Sequence, residues 1–188
     1  MLIFPVLSAL LVAVRLTVAT TWSPTKFAIV SLVTSPSQCI FFPGGNGTII
    51  ELSTTTGPAN PAAFNTWTVL SGLDITDAAP NTDIAAIAYT SVVTGTDAVR
   101  LVYQAANGSI RTVYHGAVPG EPDWVLDPVV IATVPLGTPL SAFQSGVNGA
   151  LPQIIAIQYI NENGLLTQRF TTSDGINGVW SASVTITT

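Results

Sequence analysis

The sequence feature that most constrains the fold is a short turn inside the segment Val99–Gly116. Two apolar runs meet there at Asn107-Gly108. Asn-Gly favours a two-residue type I′ turn, because both residues accept a positive φ and the twist of the turn matches that of the strands it joins. Apolar residues alternate with others on the way into the turn, as in a β-strand. The segment therefore predicts a β-hairpin.

The same hairpin occurs three times along the chain. An aromatic residue stands four positions before each Asn-Gly, an Ile or Leu stands three positions after the asparagine, and a tryptophan follows farther on. The three asparagines are Asn46, Asn107 and Asn163, and the three tryptophans are Trp67, Trp124 and Trp180. A further apolar strand precedes each hairpin, and a β-prone tail follows each tryptophan. Four matching columns in three copies indicate an internal repeat of four strands per unit.

The repeats lie at about 25–72, 82–133 and 138–188, and we expect them to form a single domain over 20–188. Thr, Val, Ile and Ser dominate, and no segment has a helical period, so we expect an all-β chain. Tandem four-stranded antiparallel units are typical of a β-propeller, here a partial one of three blades. Propellers close with roughly four to eight blades. Three blades alone would leave blade faces exposed. Three arrangements account for this: two chains that complete a six-bladed ring, a shortened relative of a longer propeller, or a β-trefoil.

Composition excludes several function classes. Lys and Arg number only five and the net charge is −5, so neither a nucleic-acid-binding face nor a membrane-surface patch is expected. A zinc site needs several His or Cys ligands, whereas the chain has one of each, Cys39 and His115. No catalytic triad motif, phosphate loop or EF-hand-like run occurs. We expect no enzyme activity, cofactor or metal, and we expect Cys39 to be a buried apolar residue.

The N-terminus predicts export. Leu2–Val14 is a continuous apolar run, and Thr17 and Ala19 are small residues placed for cleavage before Thr20. Residues 1–19 are therefore interpreted as a signal peptide, with a first core strand as the alternative. We expect a secreted, extracellular protein with no membrane segment after signal removal. The sequons at Asn46 and Asn107 predict glycosylation on hairpin turns.

The middle repeat, RLVYQAANGSIRT, resembles the repeat of the fungal fucose-specific lectins, which are six-bladed propellers. The opening strands DIAAIAY and PLSAFQ are also similar to that family's, and the resemblance extends from Lys26 to the C-terminus. It implies sugar binding without turnover in pockets between adjacent blades. In that family an Arg and a Glu of one blade bond to the sugar hydroxyls, and aromatic residues of the next blade stack on its apolar face.

Matched position by position, the resemblance implies two pockets. No repeat keeps both the Arg and the Glu of the family's pattern. The Arg position holds Cys39, Arg100 and Ala156, and the Glu position holds Glu51, Thr112 and Gln168. The first implied pocket combines Glu51 with His115 and Trp124, and the second combines Arg100 and Thr112 with Trp180. Arg111 and Arg169, which follow their turns, are expected to be solvated.

The sequence thus favours a secreted, lectin-like protein that binds carbohydrate, with fucosylated glycans and a second copy of the chain as candidate partners. The alternative is a degenerate half-propeller that acts as a structural or protein-interaction module without sugar binding.

Overall fold

A computed structural model of the chain describes residues 26–44, 47–54, 68–70, 75–120, 123–145, 154–172 and 179–186. The described residues contain no α-helix, and their strands form three antiparallel sheets in succession. The strands are, in chain order, β1 (Ala28–Ser31), β2 (Gln38–Pro43), β3 (Ile49–Thr54), β4 (Thr68–Leu70), β5 (Ile84–Thr90), β6 (Asp97–Gln104), β7 (Ser109–His115), β8 (Val125–Leu126), β9 (Ala132–Thr133), β10 (Leu140–Ser145), β11 (Ile154–Ile160), β12 (Leu166–Thr171) and β13 (Val184–Thr185).

Each sheet is a meander in which neighbouring strands are consecutive in the chain. The first sheet has the order β1-β2-β3-β4, the second β5-β6-β7-β8, and the third β10-β11-β12-β13. The second sheet has one strand more than the four expected, because β9 returns to pair with β7. The fold is a partial β-propeller. The β-trefoil does not form, since each repeat builds a sheet of its own instead of adding a hairpin to a shared barrel.

The three central hairpins pair in the same way, so the columns of the sequence repeat are also columns of the structure. The Glu position of each repeat takes part in the corresponding cross-strand pair, which is Phe41–Glu51, Val102–Thr112 or Gln158–Gln168. The Arg position stands two residues earlier on the preceding strand, at Cys39, Arg100 or Ala156. A substitution in one sheet can therefore be compared directly with its counterpart in the next.

The prediction of a two-residue type I′ turn is wrong for the middle hairpin. Gly108 has a φ of 84°, but Asn107 does not, since Asn81 alone among the described non-glycine residues has a positive φ. The Gly108 N–H donates to the Ala105 carbonyl (2.9 Å), and the Ala105 N–H donates to the Ser109 carbonyl (2.8 Å). This pattern is a type I turn followed by a left-handed glycine bulge, which also suits the strand twist.

The second sheet is buried on both faces. One face of β6 carries Val99 and Leu101, which pack in a cluster with Phe41 of the first sheet. The opposite face of the second sheet packs in another cluster with Ile157 and Trp180 of the third repeat. We call the contact between the first and second sheets the first seam, and the contact between the second and third sheets the second seam. Successive residues of a strand point to opposite faces of the sheet, so each strand of the middle sheet can contribute side chains to both seams.

The outer faces of the first and third sheets are open. Ile29 on β1 is 53% exposed, while its neighbours Ala28 and Val30 are buried in the first seam. On the third sheet, Phe143 and Val184 are exposed on the side away from the second seam. Each outer face therefore exposes large apolar side chains, at Ile29 on the first sheet and at Phe143 and Val184 on the third.

Three parts of the sequence interpretation lie outside the described residues: the signal peptide at 1–19, the sequon asparagine Asn46, and Trp67. In the described part of the chain, a search for a helix of the length and apolar character needed to span a membrane finds none.

Candidate ligand-binding seams

The first seam brings Glu51 and Trp124 together. Glu51 lies on β3 and points at the second sheet, and Trp124 immediately precedes β8. The indole Nε1 of Trp124 donates to Oε2 of Glu51 at 3.0 Å. Because Glu51 is only 4% exposed, this bond satisfies a carboxylate that has largely left water. Residues 73 positions apart are joined here, so the bond also holds the two sheets in a fixed relation.

Trp124 stands among other rings. The edge of its indole meets Phe41, with ring centroids 5.4 Å apart and an interplanar angle of 86°. His115, at the end of β7, lies 5.5 Å from the indole with a tilt of 41°. Edge-to-face and tilted arrangements are the favourable ones for aromatic pairs, so the indole is held in one orientation. The sequence-based grouping of Glu51, His115 and Trp124 is thus the grouping that the structure brings together.

A cavity of about 220 Å³ opens at this place. It is lined by these three residues and by others from both sheets, including Cys39, Asp97 and Val99. Ligand pockets of drug-sized molecules run to roughly 300–1,000 Å³, so this cavity suits a small ligand such as one sugar ring.

Cys39 lines the same cavity as a protonated thiol. Burial, the negative charge of Glu51 and a hydrogen bond to Glu51 all raise the pKa of Cys39 far above its ordinary range. A thiol that keeps its proton is neither a nucleophile nor a metal ligand at neutral pH. The expectation that Cys39 is a buried, unreactive residue is therefore supported by its surroundings.

The second seam brings Arg100, Thr112 and Trp180 together, but it is closed. Arg100 is completely buried, and its Nη1 lies 3.2 Å from Oδ2 of Asp127, whose side chain is also inaccessible. Thr112 Oγ1 accepts from the same Arg100 nitrogen and donates to the same Asp127 oxygen, each at 3.3 Å. Arg100 therefore has no solvent-accessible surface, and among the described residues the Asp127 carboxylate lies beside its guanidinium.

Aromatic rings complete the surroundings of Arg100. Its Cζ lies 5.5 Å from the ring centroid of Tyr114 and 5.7 Å from that of Trp180, which is within cation–π range. Its Nε and Nη2, like Nε1 of Trp180, have no hydrogen-bond partner among the described residues. The charge of Arg100 is thus balanced by Asp127 and two ring faces, while several buried donors are left unused.

Another cavity, of about 240 Å³, lies on the second sheet beside the first seam and also touches Trp124. Arg111 Nη1 lies 3.1 Å from Oδ2 of Asp77 at its wall, and the Tyr103 hydroxyl donates to Oδ1 of Asp77 at 2.9 Å. Burial and this hydrogen bond raise the pKa of Tyr103 well above its ordinary value. Arg111, expected from the sequence to be solvated, is 28% exposed and is held by this ion pair.

Arg169 is also not free in solvent. Its Nε donates to the Ser181 carbonyl at 2.7 Å within the third repeat, and its Nη1 donates to the Ile131 carbonyl across the second seam.

Sequence reasoning missed the acidic partners. Asp127 stands 27 positions from Arg100 in a loop, and Asp77 stands 26 positions from Tyr103. No spacing rule links residues that far apart. One signal could have indicated a partner: a buried arginine on an apolar strand needs a carboxylate. For metals, no group of three or more His, Cys, Asp or Glu side chains gathers in the described part of the chain.

Comparison with solved structures finds the same architecture in six-bladed propellers. The Aleuria aurantia lectin, described as a fungal lectin with a six-bladed β-propeller fold and a novel mode of fucose recognition, aligns with a TM-score of 0.65 and 18% identity, covering 87% of this chain and 50% of its own. The BP39L lectin from Burkholderia pseudomallei aligns with a TM-score of 0.59 and 16% identity, covering 86% of this chain and 41% of its own. AofleA from Arthrobotrys oligospora aligns with a TM-score of 0.59 and 16% identity, covering 86% of this chain and 42% of its own.

The chain thus spans about half the length, or less, of the lectin chains it matches. At this level of identity the likeness establishes the fold, a partial propeller, which agrees with the resemblance seen in the repeats. No protein-family model and no curated protein sequence matches the chain.

Proposed function

We propose that this protein binds carbohydrate, without chemical turnover, in the cavity of the first seam. One observation carries the proposal: the buried carboxylate of Glu51, fixed by the Trp124 indole, faces a cavity the size of a sugar ring. His115 adds a second ring to the same wall. The lectins with the same fold lend support, since the structures of two of them, the Aleuria aurantia lectin and the SapL1 lectin, contain an α-methyl fucoside.

The chemistry of the cavity suits a sugar. A pyranose offers hydroxyl groups, which donate to a carboxylate, and a patch of C–H groups, which packs on an aromatic ring. Glu51 supplies the acceptor, and Trp124 and His115 supply the rings. Glycoside hydrolysis uses a pair of carboxyl groups on either side of the scissile bond. Glu51 and Asp97 both line the cavity, but each is held by hydrogen bonds within the protein, Glu51 by the Trp124 indole and Asp97 by two backbone N–H groups. Binding without turnover is the simpler role.

The second seam is the weaker candidate. Asp127 already bonds to Arg100 and Thr112, so a ligand there must displace a buried ion pair. Trp180 is buried to 6% exposure and offers no open ring face in this state. We assign Arg100, Thr112 and Trp180 first to holding the two sheets together, with a second sugar site only if that seam opens.

A glycan array with matched variants tests the proposal. Glu51→Gln keeps the shape of the side chain and removes its charge, and Trp124→Ala removes the ring. Both are expected to weaken sugar binding at least about tenfold, as the loss of a charge-assisted hydrogen bond or an aromatic contact does. Glu162→Gln, in an exposed turn of the third sheet, is the control and keeps full affinity.

The array also decides between the two functions. If the wild-type chain binds no sugar at high concentration, the protein-interaction role replaces the lectin role. Fucose is the first sugar to examine, because the lectins of the same fold are described as binding it.

We further propose a second copy of the chain as the partner of the open sheet faces. Three blades from each of two copies make six, within the range of about four to eight that closes a propeller. The apolar outer faces at Ile29 and Phe143 would then pack against each other. Light scattering is expected to give twice the chain mass, and Ile29→Asp is expected to restore the monomer. A wild-type monomer at high concentration would contradict this assembly.

Export and glycosylation remain proposals based on the sequence. Asn107 is exposed at the turn between β6 and β7, so a glycan could be accommodated there. Expression through a eukaryotic secretory pathway, followed by mass measurement before and after glycosidase treatment, tests cleavage after residue 19 and glycan attachment together. If the chain is secreted but glycosidase treatment leaves its mass unchanged, export is supported and glycosylation is not.

A further inference from the structure

The first-seam cavity is lined by two carboxylates, and the one basic side chain among its described lining residues is the imidazole of His115. Glu51 and Asp97 both line it, and the described lining residues include no lysine or arginine. Two donors to Glu51 are the Trp124 indole and the Cys39 thiol, and both are uncharged. The two carboxylates therefore outnumber the one cation that the described lining residues could supply.

The second seam shows what the first one lacks. There the buried carboxylate of Asp127 faces the guanidinium of Arg100. Arg100 and Cys39 occupy the same position of the repeat, each twelve residues before the Thr112 or Glu51 of its own sheet. The first seam therefore has an anion and a small neutral side chain where the second has an ion pair.

From this contrast we infer that the first-seam cavity selects an amino sugar, a sugar ring that carries a protonated amine, over a neutral sugar. The inference rests on the proposed function. A buried charge without a counter-charge is unfavourable, and a ligand ammonium group relieves that penalty whereas a hydroxyl group does not. A hydroxyl group also makes a charge-assisted hydrogen bond to a carboxylate, and an ammonium group adds the attraction of a full opposite charge.

Two further features of the cavity favour a cation. Asp97 Oδ1 accepts from the backbone N–H groups of Val33 and Thr34, at 3.0 and 2.8 Å, which fixes its carboxylate without removing its charge. Trp124 presents an indole ring, the best side chain for attracting a cation to its face. Both effects attract an ammonium group more strongly than a hydroxyl group, because the hydroxyl group carries no net charge.

The test compares three sugars that differ at one position: glucosamine, glucose and N-acetylglucosamine, by calorimetry at neutral pH. We expect glucosamine to bind about tenfold more tightly than the other two, because its ammonium group adds the attraction between opposite charges to the hydrogen bond that a hydroxyl group also makes. The preference is also expected to shrink as salt is added, because screening weakens charge pairs.

Two variants assign the preference to this cavity. Glu51→Gln is expected to make the three sugars nearly equal, while the control Glu162→Gln keeps the preference. Cys39→Arg supplies an internal cation and is expected to reverse the preference toward the neutral sugars. If Cys39→Arg does not fold, Glu51→Gln still decides the question.

Equal binding of glucosamine and glucose by the wild-type chain would overturn the amino-sugar inference and leave the proposed function intact. A preference that survives Glu51→Gln would likewise overturn it, since the charge would then come from elsewhere. Binding of none of these sugars, nor of any glycan on the array, would overturn the proposed function as well.

Discussion

Asp127 balances the charge of the second seam. Its Oδ2 contacts Arg100 at 3.2 Å with both side chains inaccessible, and its Oδ1 accepts from the Val129 N–H at 3.0 Å. Asp127→Asn leaves a buried guanidinium without a counter-charge, and we expect the free energy of unfolding to fall by about 3–5 kcal/mol. Urea denaturation measures the change.

The control for this prediction is Asp77→Asn. Asp77 pairs with Arg111 at 3.1 Å, a similar distance, but the side chains are 42% and 28% exposed. Exposed pairs contribute roughly 0–1 kcal/mol, so only a small loss is expected. If both variants lose the same amount, burial is not what makes the Arg100–Asp127 pair important.

Cys39 and Tyr103 make the free energy of unfolding depend on pH in the alkaline range. Burial and a neighbouring carboxylate raise the pKa of each in the folded chain. In the unfolded chain they lose their protons near pH 8.5 and 10, while the folded chain keeps them. Above pH ~8.5 the unfolded state thus binds fewer protons, so the free energy of unfolding falls as pH rises, by up to about 1.4 kcal/mol per pH unit for each group.

Urea denaturation under reducing conditions at a series of alkaline pH values tests this dependence. Cys39→Ala is the matched variant, and it is expected to be less sensitive to pH between about pH 8.5 and 10, where the thiol of the unfolded chain titrates first. An identical slope in the two proteins would show that the thiol does not contribute.

At the level of single residues, sequence reasoning found part of each seam. The resemblance to the lectin repeats placed Glu51 with Trp124 and Arg100 with Trp180. It did not find Asp127, which comes from a loop where each repeat differs. The burial of Arg100 could not be predicted either, since a strand position states which face a side chain takes but not how closely the next sheet covers it.

Among elements, the hairpin turn of the second sheet is fixed by the segment that leads to the third. The Val134 N–H donates to the Gly108 carbonyl at 3.0 Å, and a Cβ on Gly108 would stand 2.7 Å from the Val134 carbonyl oxygen. Gln104 Nε2 adds bonds to the carbonyls of Val134 and Pro135, at 3.1 and 2.8 Å. The turn is thus a docking point between blades as well as a link between strands.

Gly108→Ala is therefore expected to destabilise the fold more than the same change at Gly164. Both glycines have positive φ, 84° and 74°, which disfavours alanine by roughly 1–2 kcal/mol. Only Gly108 would also clash, because no atom lies within 4 Å of a Cβ on Gly164. The difference in the free energy of unfolding between the variants measures the clash, and equal losses would contradict the docking described here.

The elements themselves were largely predictable from the sequence. The hairpin at Val99–Gly116 appears as β6 and β7, because alternation and turn residues are local signals. The turn type was not predictable, since asparagine accepts both right- and left-handed backbone and the docking of Gly108 on Val134 decides between them. The strand β9 was missed for a similar reason, as two residues that pair with β7 carry no pattern of their own.

In the molecule as a whole, the second sheet packs against both of the other sheets. It contributes to both apolar clusters, whereas the first and third sheets each contribute to one. The sequence could predict that three sheets stack, but it could not separate a propeller from a trefoil. Both bury the same apolar residues, and the choice depends on whether strands pair within or between repeats.

This central position predicts cooperative unfolding. Leu101→Ala, at a residue with 0% exposure on the second sheet, is expected to lower the free energy of unfolding by about 2–5 kcal/mol. The control Leu136→Ala, at a residue with 60% exposure, is expected to change it by less than about 0.5 kcal/mol. Tryptophan fluorescence, to which all four tryptophans contribute, including Trp124 and Trp180 in the two seams, and far-UV circular dichroism should give one common transition that Leu101→Ala shifts as a unit. If the two signals gave separate transitions, the sheets would unfold independently and the middle sheet would not couple them.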